Sequence, residues 1–453
     1  MTDAPNLTRD PISSLIWRVA APAAVGNLFN VLFNVVDSWY AGQLSTEALA
    51  GLSLSFPLYF VFIVLGAAVG AGGGALIGNA LGADDRAAAR AWCYQLVVVA
   101  LLFSVVIVVL GLVAVEPVLR FLGADGAYLD AAVDYTRTLY LGAPCLLLPF
   151  AINAGLTAQG RTAVFRNVLI AGFFANLVLN PWFIYGGFGV PAMGITGIAL
   201  ATLLVQGTGA LYLWFHLRRT GLVDRVLCDA LRPRPARLAR LLAQAAPLAA
   251  SLSSIGAFFF LANAYINAFG PAAVAAYGIG LRIEQLVLVP VMAINQAALA
   301  MTSNNVGARQ YARVYAAWTA CIRAAAILLV FGGVLMVLFG ALVMTTFSDD
   351  ATVVAIGVGY LRIEAFALPA YALIHVNGGV LQGVKRPQAV MWVGVARSLV
   401  LPALLLPLLI SWAGFDVTAI WWMILVLAWA SGLVLHWHTR RVLRVCCGGP
   451  TGG

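Results

Sequence analysis

The chain has 453 residues, of which 62% are hydrophobic and only 9% are charged, and its formal net charge at pH 7 is +9. This apolar content is far above that of soluble globular proteins, so the composition predicts an integral membrane protein. A positive net charge can also indicate nucleic-acid binding, but no RNA- or DNA-binding motif accompanies the arginines, and we discount nucleic acid as a partner.

About 20 consecutive apolar residues are needed to cross the hydrocarbon core of a bilayer. Twelve stretches of this kind follow one another along the chain, at residues 15–39, 49–77, 91–113, 127–150, 164–185, 195–217, 241–266, 273–301, 314–345, 352–380, 389–411 and 418–438. The sequence therefore predicts an all-α integral membrane fold with twelve transmembrane helices embedded in the lipid bilayer.

Most of the 26 basic residues fall in segments that share one side of the membrane with both termini. The loops on the other side carry acidic residues, among them Glu116, Asp349 and Asp416, and Arg120 is the clear exception there. The positive-inside rule then places both termini in the cytoplasm. Since the first apolar stretch is too long for a signal-peptide core, we expect a multi-pass protein of the cell inner membrane.

Residues 15–217 and 241–438 are diverged copies of one hydrophobic unit. Corresponding segments lie about 225 positions apart: Gly78–Ala83 pairs with Ser303–Ala308, and Gln159-Gly160 pairs with Gln382-Gly383. Each copy has six spans, an even number that returns the chain to its starting side. The copies are therefore predicted to be parallel repeats that form two pseudo-symmetric six-helix bundles.

These repeats predict four segments. Residues 1–217 form an N-lobe and residues 241–438 a C-lobe. Residues 218–240, rich in arginine and containing Pro233, form a basic cytoplasmic linker. Residues 439–453 form a cytoplasmic tail.

Four polar residues of the first span, Asn27, Asn30, Asn34 and Asp37, follow one another at helical spacing and share one helix face. A desolvated amide costs free energy unless it is hydrogen-bonded, so such a face indicates a polar network or a water-filled pocket. Simple hydrogen bonding between helices is the alternative. In a compact bundle, other polar residues of the N-lobe could converge on this face: Asn153, Asn176, Asn180 and Gln206.

Asp37 stands apart because a carboxylate at the centre of a span costs about 2.5 to 3.5 kcal/mol, and less near the outer end where Asp37 lies. Its carboxyl group could take up and release a proton, or it could bind Na⁺ beside amide oxygens, since hard cations prefer oxygen ligands. A structural, hydrogen-bonded acid is the other interpretation. In the second copy Asn263 occupies the equivalent position.

The C-lobe contains charged residues within its predicted spans, namely Glu284, Arg282, Arg323 and Glu364, together with Arg362 and Arg397. Residues two apart on a helix do not face each other, so Arg282 and Glu284 are expected to pair with different helices. Structural ion pairs are one interpretation, and a second ion-coupling site at Glu284 is the other.

Through Asn27–Gln43, Gly78–Arg90, Gln159-Gly160 and the doubled six-span layout, the chain resembles the multidrug and toxic compound extrusion (MATE) family. The segment Tyr277–Gln296 is similar to the DinF-like branch of that family. The resemblance implies a V-shaped pair of bundles that exports amphipathic, often cationic, organic compounds in exchange for inward H⁺ or Na⁺.

The resemblance also assigns roles to residues of the N-lobe. The acid of the family's first span falls on Asp37, and the polar pair of the fifth span falls on Asn176 and Asn180. DinF-like relatives often have an aspartate where this chain has Asn180, so one carboxylate is missing from the expected site. Ion coupling is therefore assigned to Asp37 with Asn34, Asn176 and Asn180.

We expect a secondary active exporter that works by alternating access. Protonation of Asp37 would let the N-lobe repack and lower its affinity for a cationic substrate. Small organic molecules are the expected substrates, and the residues predicted to face them are Asn30, Asn153, Phe174, Trp182 and Gln206.

Cofactors are not expected, because the sequence contains no phosphate-cradling glycine loop and no nucleotide motif. No metal site is expected apart from a possible Na⁺ at Asp37. The protein is expected to be a monomer. A lipid-linked oligosaccharide flippase of the same superfamily is an alternative function. Such a flippase would line its cavity with cationic residues, and the C-lobe arginines are consistent with this alternative. An integral membrane enzyme would need catalytic groups clustered at one membrane face, and the sequence shows none.

Overall fold

The computed structural model describes residues 5–223 and 232–447. Within these ranges the chain is almost entirely helical, and one isolated β-bridge joins Gly187 to Val190. The α-helices are α1 (Ile12–Leu44), α2 (Thr46–Gly82), α3 (Arg86–Val113), α4 (Val115–Phe121), α5 (Gly126–Leu141), α6 (Ala143–Thr157), α7 (Thr162–Tyr185), α8 (Ile195–Arg219), α9 (Pro235–Ile266), α10 (Pro271–Gly307), α11 (Tyr311–Phe347), α12 (Ala351–Gly383), α13 (Gln388–Val395), α14 (Leu401–Leu406) and α15 (Thr418–Cys447).

The described residues form two compact units. The N-terminal unit comprises residues 25–223 and 232–245, and the C-terminal unit comprises residues 5–24 and 246–447. The two halves of α1 thus belong to different units, and so do those of α9. The N-lobe at residues 1–217 and the C-lobe at residues 241–438 remain a prediction of the domain limits.

Eleven of the described helices are long and apolar enough to cross a membrane, or twelve spans if one bent pair counts as a span. The bent pair is α5 and α6, whose axes differ by 49°. Gly142 lies between these helices, and Pro144 at the start of α6 has no N–H to continue the hydrogen-bond pattern of α5. The predicted fourth span at residues 127–150 is therefore formed by two helices with a bend between them, and the second helix extends to Thr157.

Two boundaries of the predicted linker also differ from the structure. Helix α8 continues to Arg219 and α9 begins at Pro235, so the predicted linker 218–240 is helical at both ends. Residues 224–231 lie outside the described part of the chain. The predicted tail 439–453 is helical as far as Cys447.

The repeat is visible in the turns that end corresponding helices. After α2 the amide of Asp85 donates to the carbonyl of Ala80 at 2.9 Å, and after α10 the amide of Gln310 donates to that of Asn305 at 2.9 Å. Asp84 and Arg309, just before these donors, both have φ of 57°. The offset of 225 is therefore conserved in backbone geometry.

The turns after α6 and α12 correct one detail of the predicted registration. Gly160 has φ of 70° and Lys385 has φ of 61°, and each lies at the same place in its turn. Gly160 therefore corresponds to Lys385, whereas the sequence pairing had matched it to Gly383. The position that Gly160 and Lys385 occupy in these turns needs a left-handed backbone, which glycine adopts without cost and lysine adopts with strain.

Candidate functional site

Asp37 is the centre of a buried polar cluster in the N-terminal unit. Its side chain on α1 is only 5% exposed. One carboxylate oxygen, Oδ1, accepts hydrogen bonds from Nδ2 of Asn176 at 2.8 Å and from Nδ2 of Asn180 at 2.9 Å. The other oxygen, Oδ2, accepts a hydrogen bond from the hydroxyl of Thr202 at 3.2 Å. The structure thus brings together three of the four residues predicted for ion coupling and adds Thr202.

The two asparagines are placed by helix α7. They are four residues apart, so both side chains lie on the same helix face. Nδ2 of Asn180 also donates to Oδ1 of Asn176 at 3.0 Å, which links the two amides to each other. The remaining oxygen, Oδ1 of Asn180, is buried and has no hydrogen-bond partner among the described residues. A turn of this amide would bring that oxygen toward Asp37 in place of the nitrogen.

Pro181 helps to fix α1 against α7. A proline lacks the N–H that would bond the carbonyl four residues earlier, which here is the carbonyl of Leu177. The hydroxyl of Tyr40 on α1 donates to that carbonyl at 3.1 Å. Tyr40 lies one helical turn from Asp37, so this bond connects the two helices next to the carboxylate. Sequence reasoning missed it, although the Asn180-Pro181 pair was a visible signal.

Thr202 reaches Asp37 because α8 lies very close to α7. A Cβ added at Gly197 of α8 would lie 2.7 Å from the backbone carbonyl of Phe183 on α7. Farther along, a Cβ at Gly209 would lie 2.6 Å from the side chain of Val168. These glycines permit the close approach that places the Thr202 hydroxyl near Oδ2 of Asp37.

Asn34 and Asn30 do not join this cluster. Both side chains are exposed, and Nδ2 of Asn34 donates to the backbone carbonyl of Asn30 at 2.7 Å. A small cavity next to Asn30 lies between α1, α7 and α8, with room for about one water molecule. It is lined by Asn30, Phe33, Val168, Leu169, Gly172, Val205 and Gln206. Asn30 and Gln206, both predicted to face substrate, thus meet at this cavity.

The other residues predicted to face substrate lie in separate surroundings. Asn153 is partly buried, and its Oδ1 has no hydrogen-bond partner among the described residues. Phe174 is 56% exposed and its ring lies 5.2 Å from that of Phe173. Nε1 of Trp182 donates to the carbonyl of Gly187 at 2.8 Å, so this indole fixes the turn after α7.

The carboxylate of Asp37 has no ion-pair partner within the described residues. Its other titratable neighbours are phenols, those of Tyr59 on α2 and Tyr135 on α5, which sequence reasoning also missed. Neutral donors stabilise a buried carboxylate only in part, so an uncompensated negative charge remains costly there. A bound proton or a small monovalent cation would neutralise it. The cluster is thus a buried carboxylate that only neutral groups surround in the described residues.

In the C-terminal unit, the predicted charges separate into buried acids and exposed arginines. Glu284 accepts a hydrogen bond from the hydroxyl of Tyr360, and Glu364 is also buried. Arg282 and Arg323 are exposed and form no ion pair in the described structure. Structural ion pairs, one of the two interpretations of these charges, are therefore not formed by Arg282 or Arg323 in the described residues.

The guanidinium that does lie near both glutamates is that of Arg397. Asn263, the counterpart of Asp37 in the repeat, is exposed and donates to the carbonyl of Phe259 in its own helix at 2.9 Å. The equivalent polar residues of the two first spans therefore lie in different surroundings, buried at Asp37 and exposed at Asn263.

Comparison with known proteins gives one family. The family described as MatE matches residues 22–182 and 247–408, which correspond to the two repeats. An FAD transporter of Shewanella oneidensis is 29% identical over 418 residues, with 90% of each chain covered. A probable multidrug resistance protein, YoeA of Bacillus subtilis, is 26% identical over 318 residues, covering 68% of this chain and 69% of its own.

A solved structure of a MOP superfamily transporter from Pyrococcus furiosus superposes with a TM-score of 0.90 at 24% identity. It covers 98% of this chain and 99% of its own. This likeness shows the fold, a pseudo-symmetric arrangement of twelve helices, and confirms the fold class predicted from the sequence.

Proposed function

We propose that this chain, which belongs to the MatE family, exports small organic molecules in exchange for H⁺ or Na⁺ bound at Asp37. Members of this family are transporters, so the chain is a multi-pass membrane transporter and not an enzyme. The observation that carries the proposal is the burial of the Asp37 carboxylate among neutral donors, without a counter-charge in the described residues.

Ion binding at this site would change its hydrogen bonds. Oδ1 of Asp37 accepts from two amide groups, and a proton on that oxygen would displace at least one of them. Na⁺ needs oxygen ligands, so the amides of Asn176 and Asn180 would have to turn their oxygens toward the ion. In either case the bonds that connect α1 with α7 and α8 are rearranged.

This rearrangement provides the coupling. An ion that binds one conformation better than another shifts the equilibrium by its difference in affinity. If the ion-bound N-terminal unit holds substrate less tightly, ion entry favours substrate release, and the ion gradient drives export. Because coupling is reciprocal, substrate binding then favours release of the ion.

The proposed substrates are amphipathic organic compounds, often cationic, because a carboxylate attracts cations when it carries no bound ion. Phe174 has an exposed ring, which is suited to stacking on an aromatic cation. The multidrug resistance relative of Bacillus subtilis supports this class by its name.

An anionic substrate is the second candidate, and two observations favour it. Arg282, Arg323 and Arg362 lie in membrane-spanning helices of the C-terminal unit and are exposed, and guanidinium groups bind phosphates and carboxylates. A relative that matches nine-tenths of the chain is an FAD transporter. Under this proposal the cargo would resemble a flavin dinucleotide, and its phosphates would contact these arginines.

Reconstituted vesicles would test both candidates. The purified protein would be placed in liposomes loaded with a fluorescent organic cation or with FAD, and pH and Na⁺ gradients would be imposed one at a time. We expect one gradient to accelerate efflux of one substrate class. Equal efflux with and without both gradients, for both substrates, would contradict the proposal.

We further propose that the protein lies in the cell inner membrane as a monomer with both termini cytoplasmic. The arginine-rich segments on the side of the termini support this orientation. Reporter fusions at the termini, one active only in the cytoplasm and one only outside it, would test it.

A further inference from the structure

The C-terminal unit contains two buried acids that the exchange mechanism at Asp37 does not use. Glu284 on α10 is 9% exposed and Glu364 on α12 is 1% exposed. Each lies within the electrostatic range of the other. Two neighbouring carboxylates removed from water repel each other, so ionising both at once costs free energy unless a positive charge compensates them.

The sequence of α12 places its polar groups on one face. Tyr360, Glu364, Tyr371 and His375 are separated by four, seven and four residues, which are spacings of a single helical stripe. On α10, Tyr277 lies two turns before Glu284 on the same side. The stripe of α12 packs against α10, because the hydroxyl of Tyr360 donates to Glu284.

Several polar atoms in this cluster are buried but unpartnered. Within residues 5–223 and 232–447, neither carboxylate oxygen of Glu364 has a hydrogen-bond donor in regular geometry, although the phenol of Tyr371 lies beside it. The hydroxyl of Tyr277 is buried near both glutamates and has no regular partner in the same part of the chain. Buried polar groups are usually hydrogen-bonded, so these oxygens can accept a further donor.

The charges of the cluster do not balance. Arg397 is the cation near both glutamates, and its guanidinium carbon lies 5.6 Å from the ring centre of Tyr371. His375 also lies near Arg397, and a neutral imidazole there adds no charge to the cluster. Two carboxylates and one guanidinium leave one negative charge in excess.

The backbone around Arg397 is unusual in a way that fits a binding site. Residues Ala396–Val400 form a π-helical turn between α13 and α14. Such turns are rare and occur often at functional sites, because they redirect a side chain by inserting one residue into the helix. Here the turn contains Arg397.

We propose that Glu284 and Glu364 form, with Arg397, a second proton-binding site in which the two carboxylates hold one proton. The proton adds to one carboxylate oxygen and makes a neutral carboxyl group, which balances the charges of the cluster. Its O–H adds a hydrogen-bond donor beside the second carboxylate.

Binding of the proton follows from these groups alone. A role of that proton in transport rests on the proposed function. Two separate readouts keep the two ideas distinguishable: infrared spectroscopy detects the proton in the purified protein, and vesicle efflux detects transport.

The experiment uses the C=O stretch of a protonated carboxyl group, a band that carboxylates lack. It is recorded at neutral pH on purified Asp37→Asn protein, so that Asp37 cannot contribute. We expect a band of about one carboxyl group per chain. Adding Glu364→Gln or Glu284→Gln should abolish it, because one carboxylate and Arg397 are already balanced.

Arg397→Gln gives the opposite sign and protects the test against misfolded glutamate variants. Without the guanidinium, both carboxylates should be protonated, and the band should about double. Glu116→Gln in the same background is the control, since Glu116 is an exposed acid of the N-terminal unit, and it should leave the band unchanged.

The proposal is overturned if the Asp37→Asn protein shows no band, if both glutamine variants keep the full band, or if Arg397→Gln leaves its amplitude unchanged. A band that behaves as expected in a protein without gradient-driven efflux would support the proton site and contradict the proposed function. If wild-type efflux depends on Asp37 but the Asp37→Asn protein shows no band, the result would support the proposed function and contradict the proton site.

Discussion

The two units bury acids in opposite ways. In the N-terminal unit, one carboxylate receives hydrogen bonds from two amides and a hydroxyl, and no cation pairs with it in the described residues. In the C-terminal unit, two carboxylates share the neighbourhood of one guanidinium and several phenols.

This difference teaches what a duplicated helical bundle can change without changing its fold. The turns that end equivalent helices keep the same backbone geometry at an offset of 225, as at Asp84 and Arg309. The acid of the first span is not kept: Asp37 is buried in one first span, and its counterpart Asn263 is exposed in the other. Backbone packing has been preserved while the charges have been redistributed.

The largest effect is expected from removing an amide that binds Asp37. Asn180→Leu removes one donor to Oδ1 and leaves the carboxylate less well stabilised, which costs about 1.5 to 3 kcal/mol for a bond to a charged group. Gradient-driven efflux should fall by about tenfold or more. Asn180→Asp, which gives the N-terminal unit two carboxylates as in the C-terminal unit, should keep efflux and bind one more ion per transport cycle.

Vesicle efflux and the ratio of ions to substrate would measure both variants. An Asn180→Leu protein with wild-type efflux would show that the amide is dispensable. The contrast between neutral donors and paired carboxylates would then have no functional meaning.

A packing change tests whether the close approach of α10 and α12 creates the C-terminal cluster. A Cβ added at Gly280 would lie 2.4 Å from the ring of Tyr360, whose hydroxyl binds Glu284. Gly280→Ala should therefore lower the free energy of unfolding by about 1 to 3 kcal/mol, the usual cost of overpacking.

Gly278→Ala, in the same helix, is the matched control. No atom lies within 4 Å of its added Cβ, and alanine is the better helix former, so this variant should be as stable as the wild type or more so. Thermal unfolding in detergent would measure both. Equal melting temperatures for the two variants would contradict the packing account.

A smaller effect is expected at Thr202. Thr202→Val removes the one hydrogen bond to Oδ2 of Asp37, which at 3.2 Å is the longest of the three. A loss of about 1 kcal/mol would change ion affinity about fivefold. Thr208→Val, an exposed position whose hydroxyl bonds its own helix, should change nothing. Ion concentration dependence of efflux would separate them, and identical curves for both variants would remove Thr202 from the site.

The smallest effect is expected outside the membrane spans. The hydrogen bond from Arg120 lowers the pKa of Glu116 below its usual value, and Arg137 contributes as well. A lowered pKa in the folded state means that the contribution to stability is present above the unfolded pKa, about 4.3, and is lost as the pH falls through the folded value.

Glu116→Gln should therefore lower the melting temperature slightly at neutral pH and not at all in strong acid. The side chain is exposed, so the difference should shrink in high salt. Asp130→Asn, an exposed acid on α5, is the control. A difference between wild type and Glu116→Gln that persisted in strong acid would contradict the assignment.

Much of the Asp37 cluster could be predicted from the sequence. Helical spacing places Asn176 and Asn180 on one face, and the resemblance to a known family directed both toward Asp37. Asn34 lies outside the hydrogen-bonded cluster, because an asparagine on a helix can bond the carbonyl four residues before it instead of a neighbouring helix. The roles of Asn34, Asp37, Asn176 and Asn180 in ion coupling remain predictions.

The parts that were missed depend on how closely helices approach each other. Thr202 is one of many hydroxyl residues in apolar helices. Its hydroxyl lies near Asp37 because the glycines of α8 let this helix approach α7 closely. For Glu284, the spacing rule indicated that Arg282 points away from it, but the sequence does not indicate that Arg397 comes from another helix. The bend between α5 and α6 was readable, because Gly142 and Pro144 lie together.

The central claim is that the charge of Asp37 couples an ion to export, and Asp37→Asn tests it most directly. Vesicles with wild-type or Asp37→Asn protein, at matched orientation and amount, would be given H⁺ and Na⁺ gradients separately. We predict that one gradient drives efflux by the wild type and that neither drives efflux by the variant, while substrate still binds. Gradient-driven efflux of equal rate in both proteins would contradict the account.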